Sequence, residues 1–259
     1  MLKLENINKC YNPGTVNENT IFQDFNLSIP SGQFMTIIGS NGSGKTSMLN
    51  LICGNIKPDQ GKIVMDEENM TNMSEHARYK RMGRVFQDPA AGTCPSMTLL
   101  ENLSLADNKN KAWNLTKAVN NQRIEFYQEK LKRVGLGLEN KLDEIVGSFS
   151  GGERQAVALL MATITPIDYL ILDEHTAALD PKAAETIMQL TAEIIEEQNL
   201  TTLMVTHNLK YALEYGDRLI MMHKGEILLD AFDQEKSQLI LNDLLNKFFE
   251  ISIEVGNAI

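Results

Sequence analysis

The sequence predicts an α/β protein with a mainly parallel central sheet, an antiparallel β subdomain at the N-terminus and an inserted helical subdomain. Three short apolar runs that end in polar residues predict strands buried on both faces, and they lie at residues 34–38, 169–172 and 202–206. Helical spacing follows the first run at 45–52 and separates the other two at 182–197. Parallel sheets built in this way bind ligands at the carboxyl ends of their strands.

Two further regions complete the predicted fold. Loose alternation of apolar and polar residues at 2–7 and 25–29 predicts two antiparallel strands joined through a polar turn. Between about 87 and 160 the strand signals are few and helical patterns prevail, notably at 123–134 and 153–162. We therefore expect the helical subdomain to occupy this stretch.

We expect one large domain over residues 1–230 and a C-terminal helical tail over 231–259. Six apolar residues of the tail are predicted to share one side of an amphipathic helix: Leu239, Ile240, Leu244, Leu245, Phe248 and Phe249. This side is expected to pack on the core, and contact with a partner protein is the alternative. Residues 107–121 are rich in Asn and Lys and predict an exposed loop or a frayed helix.

The composition argues against several classes of function. A formal net charge of −10 disfavours attraction to nucleic acid or to anionic lipid, because both need clustered positive charge. The apolar runs are far shorter than the roughly 20 residues of a membrane-spanning helix, and the N-terminal residues lack the pattern of a secretion signal. The scattered cysteines Cys10, Cys53 and Cys94 indicate reduced thiols in the cytoplasm and predict no zinc site.

A glycine-rich loop at residues 39–46 matches the pattern G-x-x-x-x-G-K-[ST] between a predicted buried strand and a predicted helix. Backbone N–H groups of such a loop point at phosphate oxygens, and the helix adds the positive end of its dipole. Lys45 is expected to reach the β- and γ-phosphates, and the Thr46 hydroxyl to bind Mg²⁺. The loop predicts the P-loop NTPase fold (RecA-like); a turn without a ligand is disfavoured by the flanking elements. The loop alone does not choose among kinases, GTPases and motor-like ATPases. The residues predicted to bind the nucleotide, taken as ATP, are Gly39, Ser40, Asn41, Gly42, Ser43, Gly44, Lys45, Thr46 and Ser47.

Two carboxylates follow the second apolar run. Asp173 is suited to hold Mg²⁺, and Glu174 is suited to polarise the attacking water as a general base. A single acidic residue at the end of a strand has a reasonable structural explanation. Two of them downstream of a phosphate loop favour catalysis.

A second glycine-containing turn, Ser150-Gly151-Gly152-Glu153-Arg154, precedes a predicted helix. Its serine, its glycines and the helix start form a second candidate surface for an anion. From these residues alone, a plain helix N-cap is an equal alternative.

The order of these motifs resembles that of the ATP-binding cassette family, the ATPase subunits of ABC transporters. The motifs are, in order, the phosphate loop, Gln87, the Ser-Gly-Gly turn, the Asp-Glu strand end, Ala178-Leu179-Asp180 and His207. The resemblance covers the chain from Leu2 to about Asp230. It implies binding of ATP with Mg²⁺ and head-to-tail pairing of two cassettes, in which each signature turn covers the nucleotide on the other cassette's phosphate loop.

The resemblance also implies roles for individual residues. Tyr11 resembles the aromatic residue that stacks on adenine, and Gln87 the glutamine that joins Mg²⁺ and the attacking water to the helical subdomain. His207 resembles the switch histidine that contacts the γ-phosphate. The implied catalytic residues are Glu174, His207 and Gln87, and the implied metal ligands are Thr46, Gln87 and Asp173. The residues implied to act on the partner's nucleotide are Ser150, Gly151, Gly152, Glu153 and Asp180, the last as the D-loop aspartate.

Three positions depart from the family pattern. Phe149 stands where the LSGGQ signature has Leu, which is a tolerable apolar exchange. Glu153 replaces the usual Gln and places a carboxylate near the opposing nucleotide. His175 follows Glu174 where Pro or Ala is more common, and we interpret it as structural because the base and switch positions are already filled.

The resemblance implies a transporter ATPase on the inner face of the cell membrane, paired with a second cassette that is expected to be identical. Its other implied partners are separate transmembrane permease subunits, docked near residues 87–103, and a solute-binding protein. Import is expected over export because the cassette carries no fused membrane helices. Residues 87–102 and 173–181 are similar to cassettes of bacterial amino-acid uptake systems.

A soluble ABC ATPase of iron–sulfur cofactor assembly is the alternative, because its signature also contains Phe-Ser-Gly-Gly-Glu. Residues 178–181 and 215–220 are closer to transporter cassettes. A mechanical ATPase would carry a long coiled-coil insertion or a second cassette, and a small GTPase would carry an Asn-Lys-x-Asp motif. The sequence contains none of these features.

Overall fold

The computed structural model describes residues 1–111 and 118–256, with side chains up to residue 250. It divides the chain into two compact units: Met1–Arg78 with Thr201–Ile259 form the first, and Tyr79–Leu200 form the second. Six residues of the segment 107–121, for which the sequence predicts a loop or frayed helix, lie outside the described residues.

The strands and helices alternate along much of the chain. The strands are β1 (Leu2–Tyr11), β2 (Asn19–Ile29), β3 (Phe34–Gly39), β4 (Gln60–Met65), β5 (Glu68–Asn69), β6 (Met82–Val85), β7 (Tyr169–Asp173), β8 (Thr201–Val205), β9 (Arg218–His223) and β10 (Glu226–Phe232). The α-helices are α1 (Lys45–Cys53), α2 (Glu75–Tyr79), α3 (Leu99–Asp107), α4 (Ile124–Lys132), α5 (Gly151–Thr163), α6 (Pro181–Gln198), α7 (Leu209–Glu214), α8 (Asp233–Gln238) and α9 (Leu241–Gly256). Short 3₁₀ helices occur at Pro89–Gly92, Asn121–Arg123, Leu138–Asn140 and Val146–Ser148.

The first unit begins with an antiparallel sheet in the order β2-β1-β4-β5. Strands β1 and β2 form the predicted antiparallel pair, in which Leu2 lies opposite Ile29 and Leu4 opposite Leu27. Strand β4 pairs with the other edge of β1 and was not predicted. Its apolar run is short, and its partner strand lies more than fifty residues earlier in the chain, so local pattern gives little indication of the pairing.

A second sheet of the first unit carries the phosphate loop. Strand β3 is parallel to both β8 and β9, and β10 is antiparallel to β9. All six residues of β3 are buried, as its β-branched and apolar composition predicts for a central strand. Because β3 and β8 run in the same direction, their carboxyl ends lie at the same edge of this sheet.

The second unit combines a parallel strand pair with most of the helices. Strands β6 and β7 are paired over four residues, from Met82 opposite Tyr169 to Val85 opposite Leu172. Helix α5 packs against α3 and α6. Within its described part, the stretch 87–160 contains helices and turns but no strand, apart from one isolated bridge between Thr98 and Ile145. Its helices α4 and α5 coincide closely with the two predicted from the sequence.

The tail contains helix α9, and only some of the six apolar residues that were predicted to share one side pack on the core. Leu244 is fully buried in a cluster with Ile38, Ala212, Leu219 and Met221, and Leu239 and Phe248 pack against it. Ile240, Leu245 and Phe249 are exposed by 58%, 37% and 64%. Positions 244 and 248 are one helical turn apart and share the buried stripe, whereas 245 and 249 are rotated by one residue towards solvent. No helix among the described residues is both long enough and apolar enough to cross a bilayer.

Candidate nucleotide site and signature turn

The phosphate loop connects β3 to the start of α1. Gly44 occupies the N-cap position with a left-handed φ of 102°, and among the described residues no side chain accepts a hydrogen bond at this helix start. The first turn of α1 also contains no acidic residue. Since the first N–H groups of any helix lack intrahelical partners, this end of α1 is built to receive an anion.

Lys45 folds back over the loop that precedes it. Its Nζ donates to the carbonyls of Gly39 at 2.8 Å and Ser40 at 3.0 Å, and to Ser43 Oγ at 3.4 Å. The side chain is buried with 5% exposure. The ammonium group therefore already lies inside the loop, where it can exchange these oxygens for phosphate oxygens.

Distant backbone holds the loop from behind. A Cβ at Gly39, where φ is 154°, would lie 2.2 Å from the carbonyl oxygen of Met222, and a Cβ at Gly225 would lie 1.8 Å from that of Ile21. Gly225 also donates its N–H to the carbonyl of Ser43 at 3.0 Å. Strand β9 thus lies so close to Gly39, and strand β2 so close to Gly225, that only glycine fits at these two positions.

His223, at the end of β9, also contacts the loop. Its Nδ1 lies 3.3 Å from Ser40 Oγ. The sequence predicts no role for this histidine in the site, because no sequence signal links two residues that are 183 positions apart.

The structure places His207 and Tyr11 in the same unit as the loop. His207 lies two residues after the end of β8 and is exposed, so it lies at the same sheet edge as the loop after β3. Tyr11 ends β1 and is half-buried, with Lys9 Nζ 5.6 Å from the centre of its ring. Lys9 in turn forms an ion pair with Asp59 at 2.7 Å.

In the second unit, Asp173 ends β7 and is paired with an arginine of the neighbouring strand. Arg84 Nη2 donates to Asp173 Oδ2 at 2.8 Å, and both side chains are largely buried. Sequence reasoning missed Arg84, although its position in β6 beside β7 would have indicated the contact once the two strands were paired. Gln87 follows β6 as Glu174 follows β7, and because these strands are parallel the two residues lie at one edge of the pair. Glu174 adopts a left-handed φ of 50°.

His175 is buried and contacts helix α6. It is 2% exposed, and its Nε2 lies 3.3 Å from Thr191 Oγ1 on α6. Burial lowers the pKa of His175 to about 4, so the ring is neutral at physiological pH. These contacts agree with the structural role that the sequence predicts.

The signature turn is capped by its own residues. Ser150 Oγ accepts from the backbone N–H of Glu153 at 3.3 Å, and Glu153 Oε2 accepts from the backbone N–H of Ser150 at 2.8 Å. This reciprocal pair is a capping box at the start of α5. A Cβ at Gly152 would lie 3.0 Å from the Cβ of Ala183, so the turn packs closely against α6.

A cleft of about 290 Å³ lies beside this turn within the second unit. Its lining brings together the predicted signature residues and the predicted D-loop residue: Leu136, Ser150, Gly151, Gly152, Glu153, Ala178, Leu179, Asp180 and Ala183. Asp180 caps α6 through a hydrogen bond from the backbone N–H of Ala183 at 3.1 Å. The cleft therefore has helix N-termini on two sides.

Comparison with known proteins identifies relatives along the whole chain. The ABC transporter family model matches residues 22–177. The tyrosine transport ATP-binding protein of Clostridioides difficile is 48% identical over 96% of this chain and 98% of its own length. A methionine import ATP-binding protein of Bacillus thuringiensis is 31% identical over the full chain and 78% of its own length. Both relatives carry transport names, which does not favour the cofactor-assembly alternative.

Solved structures of ATP-binding cassettes also resemble this chain. A dimeric ATP-binding cassette in a post-hydrolysis state with ADP and phosphate superimposes with a TM-score of 0.77 and 31% identity, over 90% of this chain and 98% of that one. A cassette of the cbiONQ transporter complex from Clostridium perfringens superimposes with a TM-score of 0.76 and 26% identity, over 99% of this chain and 97% of that one. These matches confirm the predicted P-loop NTPase fold. The chain belongs to the ABC transporter family and is an ATP-binding cassette with ATPase activity.

Proposed function

We propose that this cassette drives an uptake transporter for amino acids, through ATP-dependent pairing with a second copy and through separate membrane subunits. The observation that carries the proposal is the phosphate loop, where an uncapped helix start and the buried ammonium of Lys45 converge. The 48% identity to a tyrosine transport protein supports an amino-acid solute. The solved relative that is described as dimeric supports pairing of two cassettes.

In this proposal the residues of the first unit bind the nucleotide. Residues 39–47 surround the phosphates, and Tyr11 stacks on the adenine. Lys45 exchanges its present carbonyl partners for β- and γ-phosphate oxygens. His207, at the same sheet edge as the loop, donates to the γ-phosphate.

Three side chains that carry oxygen donors are proposed to hold magnesium. The hydroxyl of Thr46, the carboxylate of Asp173 and the amide of Gln87 are all oxygen donors, which is the set that Mg²⁺ prefers. Bound magnesium would neutralise charge on the transferring phosphate. Arg84 orients the Asp173 carboxylate, and Glu174 accepts a proton from the attacking water.

The signature residues and Asp180 act on the partner's nucleotide. Ser150 and the N–H groups of Gly151 and Gly152 face the terminal phosphate bound on the other cassette, and Asp180 lies in the same cleft. Closure of the pair on ATP and reopening after hydrolysis would move the membrane subunits between two access states. A solute-binding protein delivers the solute to these subunits.

We also propose a division of the chain into an ATPase domain and a tail, and a segment that contacts the membrane subunits. The ATPase domain spans 1–230, and the tail 231–259 packs on it through Leu244. The membrane subunits contact residues 87–103 on the inner face of the membrane. In that segment Asn102 is fully buried and bonds the backbone of Cys94 in both directions, at 2.7 and 3.0 Å, so the surface is held rigidly.

The proposal is tested by Glu174→Gln. Without the base, ATP binding is retained, turnover falls by about 100-fold or more, and the variant accumulates as an ATP-bound dimer. Sedimentation and phosphate release measure these effects, with Glu125→Gln, an exposed carboxylate on α4, as the matched control. Undiminished hydrolysis would reject Glu174 as base, and a monomer in saturating ATP would reject pairing.

The solute class needs its own measurement. Cells that depend on this transporter are expected to lose uptake of labelled tyrosine when the Glu174→Gln variant replaces the native chain. Uptake of labelled methionine in the same cells compares the solutes of the two named relatives. Unchanged uptake of both amino acids would reject amino-acid import.

A further inference from the structure

The carboxylate of Glu153 is occupied by hydrogen bonds from its own unit. Its Oε2 accepts from the backbone N–H of Ser150 at 2.8 Å and from Ser150 Oγ at 2.7 Å. Its Oε1 accepts from Lys141 Nζ at 2.6 Å. The side chain of Glu153 is 17% exposed and that of Lys141 is 33% exposed, so the pair is partly shielded from water.

Both groups are held in their charged forms. Burial alone would raise the pKa of the Glu153 carboxyl, but the hydrogen bonds from Lys141 and Ser150 outweigh it and hold this pKa below its usual value. The hydrogen bond to Glu153 raises the pKa of the Lys141 ammonium. At neutral pH Glu153 therefore carries a negative charge and Lys141 a positive one.

The negative charge lies where it would oppose the turn's proposed ligand. Glu153 occupies the first turn of α5, and the N–H groups of that turn supply the positive potential for a phosphate. A neutral glutamine at this position would leave that potential intact. A carboxylate without a counter-charge would repel a triphosphate at short range.

Lys141 provides the counter-charge from outside the turn. It follows the 3₁₀ helix Leu138–Asn140 directly and is twelve residues from Glu153 in the chain. Its Nζ also lies 5.5 Å from the centre of the Phe149 ring, next to the signature serine. This aromatic neighbour and the carboxylate together fix the position of the ammonium group.

We propose that Lys141 is a positioning residue of the ATPase cycle: it holds and neutralises Glu153, so that the signature turn can accept the terminal phosphate of the ATP bound on the partner cassette. The inference rests on the proposed pairing of two cassettes. In this arrangement the Glu153–Lys141 pair replaces the single neutral glutamine of the family signature. Glu153 gives the turn its capping box, and Lys141 removes the charge that comes with it.

The test measures ATP-dependent dimerisation in the Glu174→Gln background by sedimentation. Lys141→Met is expected to weaken the dimer by about tenfold or more, because Glu153 then faces the phosphate without its counter-charge. Adding Glu153→Gln to Lys141→Met is expected to restore the dimer to within about threefold of the reference. Lys141→Arg keeps the charge and is expected to behave like the reference.

Two further readouts separate this role from a structural one. The defect of Lys141→Met is expected to shrink between about 50 and about 500 mM NaCl, since salt screens repulsion between charges. In the otherwise native chain, Lys141→Met is expected to lower kcat without changing the ATP affinity of the monomer. Lys130→Met, which removes a similarly exposed lysine paired with Glu197 at 4.0 Å, is the matched control.

The outcomes distinguish the inference from the function on which it rests. Absence of an ATP-dependent dimer in the Glu174→Gln reference overturns the proposed pairing, and the inference with it. A dimer that Lys141→Met leaves unchanged overturns the inference alone. If Glu153→Gln fails to restore the dimer, Lys141 has a purely structural role and the inference is overturned. The same holds if the loss of thermal stability in Lys141→Met is large enough to account for the weaker dimer.

Discussion

The phosphate loop and the signature turn are both glycine-containing turns at helix N-termini, yet they differ in how the helix start is capped. At α1 the N-cap is Gly44, and no described side chain caps the helix. At α5 the N-cap is Ser150, which shares a reciprocal capping box with Glu153. Among the described residues the first helix start is thus left without a cap, whereas the second is capped by residues of its own turn.

This difference shows how one chain can supply two unlike halves of a nucleotide site. An uncapped helix start with a buried lysine gains most from a bound triphosphate, because the ligand takes over the role of the cap. A capped turn keeps its shape before any ligand arrives and needs only to meet a phosphate that is already bound. In the proposed pair of cassettes, the phosphate loop binds the nucleotide and the signature turn covers it.

The largest effect of a substitution is expected at the phosphate loop. Lys45→Ala removes the ammonium inside the phosphate loop, and we expect the ATP affinity of the monomer to fall by about 100-fold, or about 2.7 kcal/mol. Titration with a fluorescent ATP analogue measures it. Lys210→Ala, a mainly exposed lysine of the same unit, is the control. An unchanged affinity would show that the loop does not bind the phosphates.

A smaller effect of a different kind is expected at the signature turn. Ser150→Ala removes one half of the capping box, so we expect the free energy of unfolding to fall by about 1 kcal/mol. The ATP affinity of the monomer should not change, because this turn acts on the partner's nucleotide. Denaturant unfolding and nucleotide titration measure the two quantities, with Ser148→Ala as the nearby control. A loss of monomer affinity would contradict the division between the two turns.

The smallest expected effect is a pH dependence of the stability that Glu153 contributes at the signature turn. The folded pKa of Glu153 lies below its ordinary value of 4.5, so its stabilising contribution is present above that pH and is lost as the pH falls through the folded pKa. The difference in unfolding free energy between the native chain and Glu153→Gln, expected to be below about 1 kcal/mol at pH 7, should therefore shrink as the solution is acidified below that ordinary value. Unfolding curves at several pH values measure it. A difference that grows on acidification would show that the carboxylate is not stabilised by its partners.

Much of the core fold was accessible from sequence because its signals are local. The buried runs of β3, β7 and β8 and the helix after Asp180 are each fixed by neighbouring residues. The phosphate loop was found for the same reason, since its pattern and both flanking elements lie within about twenty residues.

What sequence reasoning missed depends on contacts between distant segments. The ion pair of Arg84 with Asp173 requires β6 and β7 to be adjacent, and the contact of His223 with Ser40 requires β9 to be beside β3. The tail agrees with its prediction only in part: helical spacing identified the helix, but the core covers a narrower stripe than the apolar residues occupy. The roles of individual site residues remain predictions, and the variants above test them.

The contact of Gly225 with the carbonyl of Ser43 also bears on how the protein folds during its synthesis. Strand β3 lies between β8 and β9, and both are synthesised more than 160 residues after it. A nascent chain on the ribosome that has exposed its first two hundred residues therefore has the complete phosphate-loop motif but neither flanking strand. The phosphate loop therefore gains its neighbouring strands and the contact with Gly225 only after residue 225 has been synthesised.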